Sequence, residues 1–260
     1  MNSEIRNIVV IGSGNVAFHM VRACSMKGIP VVQVLARNLN TARKISEQYN
    51  IPYTIKASEL VKNADLYILA VQDDLIRETA LSLKLGPHIL VHTSGFYALD
   101  ILEGTAEKTG VIWPLQTMTS GKAIDYRKVP FFIEGDCIDA EQLLQDFVSQ
   151  ISKKITVAES PARQQIHLAA VIASNLTNHL YSLAEKLLEK QGVPFNVLAP
   201  LILETARKAG RQSPSLSQTG PAVRNDLDVI EKHLHLLGND PETREIYRMI
   251  SENILTKHKS

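Results

Sequence analysis

The chain has 260 residues, and its 28 Lys and Arg against 27 Asp and Glu leave a formal charge of +1. That near-neutral balance offers no basic surface for a phosphate backbone, so nucleic acid is excluded as an expected partner. Apolar residues make up 45% and charged residues 21%, a globular composition over a length that buries a full core, which excludes wholesale disorder.

At roughly 150 residues per domain, the length predicts one or two domains. The longest apolar runs, residues 66–71 and 168–173, fall far short of the ~20 residues that span a bilayer, so no membrane partner is expected. The chain opens Met-Asn-Ser-Glu-Ile-Arg and passes into a strand and a glycine turn, which is not the succession of a secretory signal. Cys24 and Cys137 are the only cysteines and suit a reduced, cytoplasmic setting rather than a disulfide framework.

Residues 5–11 are rich in apolar, β-branched side chains, and Gly12-Ser13-Gly14 ends the run. Val16, Met20, Val21 and Cys24 follow at helical spacing, with Gly28 as the stop. A second strand is predicted at 31–35, a helix at 39–49 and a short strand at 53–55. Residues 66–71 read as a strand buried on both faces, and Asp73 or Asp74 can cap the helix after it. Strands at 89–92, 111–115 and 131–133, a helix at 139–151 and a strand at 154–157 complete the alternation. This order predicts an α/β fold, a doubly wound, mostly parallel Rossmann-type sheet over residues 1–158.

At Ser160-Pro161 the pattern changes: serine at an N-cap and proline at the first helical position start a helix. Ile166, Ala170, Ala173, Leu176, Leu180, Ala184 and Leu187 continue it to Lys190, and Gly192 and Pro194 end it. Helices are predicted near 195–208 and 225–237, and Gly238-Asn239-Asp240-Pro241 opens a last one. No strand is predicted after Val157, so residues 159–260 form an all-α domain.

Gly12-Ser13-Gly14-Asn15-Val16-Ala17 is a G-x-G-x-x-A element between a strand and a helix. The first glycine permits a tight turn, the second lets backbone approach a pyrophosphate, and the alanine lets helix pack on sheet. The helix start presents free N–H groups and a positive dipole end to the phosphates. A dinucleotide without a 2′-phosphate usually meets an acidic residue roughly 20 residues on. Here Ala36-Arg37-Asn38 stands in its place; Arg37, with Asn38, can pair with a 2′-phosphate, so the expected cofactor is NADP.

Val71, Gln72 and Asp73, and the run His92-Thr93-Ser94-Gly95, lie at carboxyl ends of predicted strands, where such sheets bind ligands. Asp73 is either a helix cap or a ligand contact. His92 is either a satisfied histidine beneath the pocket or a chemical participant, while Ser94 and Gly95 shape the cofactor pocket. The long helix carries His167, Ser174, Asn175, Asn178 and His179 among apolar residues. On a largely buried helix these need partners, either a substrate or a second helix at a dimer interface. The loop Thr219-Gly220-Pro221-Ala222-Val223-Arg224 either closes over a site or connects two helices, with Asp226 as a cap. His233 and His235, two apart on a helix, point to different faces, and no metal site is expected.

These strings resemble a family of NADP oxidoreductases that join a Rossmann-like N-terminal domain to a C-terminal helical domain without an assigned function. The family is related to pyrroline-5-carboxylate reductase and to deazaflavin-dependent NADP oxidoreductases. The resemblance covers nearly the whole chain and rests on the glycine turn, His92-Thr93-Ser94-Gly95, Trp113-Pro114-Leu115-Gln116-Thr117, His167-Leu168-Ala169-Ala170, Ser174-Asn175 and Thr219 to Arg224. It implies a homodimer built through helical domains of the 6-phosphogluconate dehydrogenase C-terminal type, and a site between domains. Related β-hydroxyacid dehydrogenases carry a catalytic lysine four residues before an asparagine on the long helix; before Asn175 that position is Val171.

The expectation is an NADPH-dependent oxidoreductase acting on a small C=N or C=O compound. Asn175 and Ser94 are its candidate catalytic residues, and Asn175, Thr219, Gly220, Pro221 and Arg224 its substrate contacts. Gly12 to Val16, Arg37, Asn38, Val71 to Asp73, Ser94 and Gly95 are the candidate cofactor contacts. The alternative is a non-catalytic NADP-binding sensor or scaffold that dimerises through its helices.

Overall fold

The computed structural model describes residues 4–258. They divide into two compact units, one running through Asn175 and the other beginning at Leu176. Strand structure ends earlier than that division, at Val157.

The first unit holds strands β1 (Ile8–Ile11), β2 (Val31–Leu35), β3 (Tyr53–Thr54), β4 (Leu66–Leu69), β5 (Ile89–His92), β6 (Lys108–Pro114), β7 (Pro130–Gly135) and β8 (Lys154–Val157). They form one sheet in the order β3-β2-β1-β4-β5-β6-β7-β8, antiparallel only between β6 and β7. Helices α1 (Asn15–Met26), α2 (Leu39–Tyr49), α3 (Ile76–Leu83), α4 (Ile138–Ser149) and α5 (Ser160–Val171) accompany it. From β1 the chain steps outward to β3, then returns to the other side of β1 as β4. The carboxyl ends of β1 and β4 therefore bound the crevice where a doubly wound sheet binds ligands.

Strand side chains alternate between two cores. Ile8, Val10, Leu66 and Ile68 pack with Phe18, Val21, Ile45 and Phe147 of α1, α2 and α4. Val9, Ile11, Tyr67 and Leu69 pack with Ile76, Ala80 and Leu83 of α3. Burial on both faces is why these strands read as unbroken apolar runs, and each fully buried aliphatic side chain contributes roughly 1.5–3 kcal/mol.

Two expected caps are corrected. Asp73 and Asp74 lie in a 3-10 turn, and α3 starts only at Ile76 after Leu75, so neither carboxylate caps it. Ser160 is the first residue of α5 rather than its cap. Its hydroxyl donates to Glu134 and accepts from the Leu99 N–H at 2.9 Å, because a buried ion pair on β7 draws it inward.

A π-helical turn, Ile172–Leu176, follows α5 and leads into α6 (Thr177–Glu189). Such turns insert one residue into the helical ladder and recur at functional sites. Ser174, Asn175, Asn178 and His179 are exposed, which corrects the expectation of a largely buried helix. The helical spacing reports an apolar face that this chain does not itself cover: Leu176, Leu180 and Leu187 are exposed too.

The second unit continues with α7 (Ala199–Ala209), α8 (Leu227–Leu236) and α9 (Pro241–His258). Asp226 caps α8 by accepting from the Val229 N–H at 3.3 Å. Its core joins Ala222, Ile230 and Leu234 to Tyr247 and Ile254. Among the described residues no helix is long and apolar enough to cross a membrane.

Candidate active site

A cleft of about 670 Å³ opens at the carboxyl ends of β1, β2 and β4. Gly12 to Val16, Arg37, Asn38 and Val71 to Asp73 all line it, so the sheet brings together every candidate of the first, second and fourth strand ends. Gly12 has φ +124°, and a Cβ there would stand 2.1 Å from the Ala70 carbonyl oxygen. Only glycine lets β1 turn this tightly against β4. Gly14 meets nothing within 4 Å. It is the N-cap of α1 and supplies no side-chain hydrogen bond, so the first amides of that helix face the cleft without a protein acceptor. This arrangement fits a pyrophosphate.

The second strand end fits a 2′-phosphate. Arg37 is exposed and lines the cleft with no acidic neighbour at Ala36 or Asn38. Asn38 caps α2, its Oδ1 accepting from the N–H groups of Asn40 at 3.0 Å and Thr41 at 3.2 Å. That use of the side chain leaves charge pairing to Arg37. The Thr41 and Ser13 hydroxyls lie 2.5 Å apart, joining the start of α2 to the glycine turn. Sequence reading missed Thr41, although a hydroxyl three residues after a cap is a visible signal. Ile55, Ala57 and Leu75 give the same cleft apolar walls that suit an adenine ring.

Beyond β4 and β5 the site is built by hydrogen bonds and close packing. Ser94 donates its hydroxyl proton to Asp73 at 2.8 Å and accepts from the N–H groups of Phe96 at 3.2 Å and Tyr97 at 3.1 Å. Asp73 is thereby the acceptor that secures this turn, and the Ser94 hydroxyl holds backbone rather than a spare proton. His92 is fully buried, and its Nδ1 accepts from the Ser94 N–H at 3.1 Å. Burial, reinforced by the Arg163 charge, pushes the His92 imidazole down to about 3, so it is neutral beneath the turn.

Arg163 of α5 has no exposed surface and is ion-paired with Glu134 of β7. It also donates to the Tyr97 carbonyl at 2.6 Å and to Ser160 at 3.2 Å. A buried guanidinium held this way ties α5 to the turn after β5; nothing in the sequence pattern singled it out. Gly95 sits under Trp113 and His167: a Cβ there would lie 2.5 Å from the Trp113 ring and 2.6 Å from His167 Nδ1. The His167 ring lies 5.5 Å from that of Trp113 and 6.2 Å from that of Phe96.

The loop between β6 and β7 is pinned to one stripe of α1. Asn15 Oδ1 accepts from Ser120 N–H at 3.0 Å and its hydroxyl at 2.7 Å. His19 contacts Thr119 O at 2.9 Å, and Arg22 donates to Lys122 O at 3.0 Å. The Asn15 side chain thus serves the loop, while its backbone belongs to the glycine turn. Thr117 of the same loop meets Ser174 of the π turn at 3.2 Å, which places Asn175 beside that contact. In the second unit, Thr219, Gly220 and Pro221 line a separate, mainly apolar cavity of about 350 Å³ with Leu183 and Tyr247. Arg224 is exposed and outside that lining. His233 Nδ1 faces the Tyr247 hydroxyl at 2.8 Å.

Residues 7–94 match the family described as NADP oxidoreductase, coenzyme F420-dependent, and residues 129–254 match a domain of unknown function, DUF2520. No curated protein matches the chain. A candidate NADP oxidoreductase of known structure from Bacteroides fragilis is 37% identical, with a TM-score of 0.91 over 96% of this chain and 98% of its own. A Thermotoga maritima protein is 23% identical with a TM-score of 0.74, covering 97% of this chain and 100% of its own. A pyrroline-5-carboxylate reductase from Streptococcus pyogenes, 16% identical, shares the fold at a TM-score of 0.62 over 97% and 98% of the two chains. With over a third of its residues shared along nearly both full lengths, this chain belongs to the NADP oxidoreductase family that couples a Rossmann-like cofactor domain to a DUF2520 domain.

Proposed function

We propose that the protein is an NADPH-dependent reductase of a small C=N or C=O compound. The observation that carries this reading is the uncapped start of α1 at the switch point of the sheet, flanked by Arg37. NADPH, when bound, supplies a hydride. Gly12 to Val16 would hold its pyrophosphate and Arg37 its 2′-phosphate. With the adenosine end assigned to β2, the ends of β4 and β5 are left for the reactive end.

There Asp73 and Ser94 fix the turn that the substrate meets, and Gly95 keeps it slim. Asn175 is the proposed substrate contact of this unit. A homodimer is part of the proposal, supported by exposed apolar side chains of the second unit such as Leu176, Val197 and Leu201, which would cost less once covered. A cytoplasmic setting is supported by Cys24 and Cys137, both free thiols.

The test has two stages: calorimetric titration with NADPH, then NADPH consumption with a panel of cyclic imines, aldehydes and ketones. The reading expects both binding and turnover. Binding with no turnover across the panel refutes catalysis and leaves the sensor reading; no binding refutes both.

A further inference from the structure

We infer that His167 is the acid that delivers the proton in the proposed reduction, an assignment that rests on the reductase reading above. When the substrate carbon takes the hydride, the electron pair of its C=N or C=O bond moves to the heteroatom. That atom needs one proton, and the imidazolium N–H of His167 supplies it, leaving a neutral ring that solvent reprotonates.

Most proton donors at the ends of β4, β5 and β6 are already committed or unsuited. The Ser94 hydroxyl proton is committed to Asp73, and Asp73 is an acceptor. His92 is fully buried below the turn: its Nδ1 accepts from Ser94, and its Nε2, without a partner, is sealed from the solvent that would have to reprotonate it after a transfer. Thr117 and Ser174 face each other, and an alcohol is a poor acid near neutral pH. His167 is different. It is half-buried, its ring is steadied against Trp113 and Phe96, and among the described residues its nitrogens take no hydrogen bond. It lies directly on the Gly95 backbone, and any side chain at position 95 would displace it. The sequence therefore keeps a glycine where this imidazole needs room, next to the turn that the substrate would meet. Histidine is the side chain most often used for such a transfer. The charged groups on the elements packed around it are Asp73 and the Glu134–Arg163 pair, all engaged with other partners.

The test reads the imidazole itself. The proton resonances of the eight histidines are followed by NMR against pH in the free protein, with NADP⁺ and with NADPH; His167→Gln identifies the signal of interest by its loss. The oxidised nicotinamide ring carries a positive charge that the reduced ring lacks. An imidazole beside it should titrate about half a pH unit or more lower with NADP⁺ than with NADPH.

A packing role alone predicts no such difference, and identical titration in the two complexes overturns the assignment. His167→Gln should keep the NADPH affinity of the wild type. With any panel compound that is turned over, it should lower kcat by roughly 10²–10⁴-fold with little change in KM; an unchanged kcat also overturns the assignment. Failure of the wild-type chain to bind NADP⁺ and NADPH would instead refute the reductase reading, and the proton role with it.

Discussion

Gly12 and Gly14 are two residues apart in one motif, yet the structure predicts opposite consequences for replacing them with alanine. At position 12 the new methyl would stand 2.1 Å from the Ala70 oxygen and 2.7 Å from its carbonyl carbon, with φ at +124°. The dihedral alone costs about 1–3 kcal/mol, and forced displacement of β1 from β4 adds about 1–3 kcal/mol. A total of about 2–6 kcal/mol lowers Tm by about 4–24 °C in a chain of this size.

At position 14 the backbone has φ −78°, open to any residue, and the methyl meets no protein atom. Gly14→Ala should therefore leave stability within about 1 kcal/mol of wild type. The methyl would instead stand where a pyrophosphate approaches the helix amides, so NADPH affinity should fall roughly 10–100-fold, about 1.4–2.8 kcal/mol. Thermal unfolding without ligand and calorimetry with NADPH separate the two effects. Wild-type NADPH affinity in Gly14→Ala would show that the phosphates lie elsewhere and refute the cradle.

Three further outcomes follow from the same geometry. Arg37→Ala should weaken NADPH relative to NADH by about 1–3 kcal/mol, the scale of a charge-assisted hydrogen bond; equal wild-type affinity for the two dinucleotides would remove the role of Arg37. The unfolded chain takes up a proton on His92 near pH 6.5 that the folded chain refuses until about 3. Stability should thus fall as pH drops through that window, by up to about 1.4 kcal/mol per pH unit. His92→Asn, which keeps an acceptor for the Ser94 N–H, should flatten that share of the slope in urea unfolding at stepped pH. Arg163→Met strands the Glu134 carboxylate and should cost about 3–5 kcal/mol, with much of it regained when Glu134→Met is added; a loss below about 1 kcal/mol would show that the pair is not what anchors α5.

Local chemistry made the first half of the chain readable. Continuous apolar runs become strands covered on both faces, and the first glycine of the turn between strand and helix is required by steric contact with Ala70. Arg37 is visible because a carboxylate is missing where one is customary. The helix boundaries were less legible: Asp73 and Ser160 look like caps by position, but each side chain has a stronger partner far along the chain, Ser94 and Glu134 respectively. Their hydrogen bonds span 21 and 26 residues, beyond the reach of any local pattern.

The polar band on the long helix shows the same limit from another side. Helical spacing identified a common apolar face around Asn175, but not whether this chain buries it, and Leu176 and Leu180 remain exposed. Residue order alone determined that there is a nucleotide-type sheet followed by helices, because periodicity and backbone sterics act over a few neighbours. Tertiary structure alone decided that Arg163, Glu134, His92, Gly95 and His167 form one cluster at the end of β5. Burial creates that cluster: removal from water forces charges and polar atoms to find partners wherever the fold brings them, regardless of their separation in the chain.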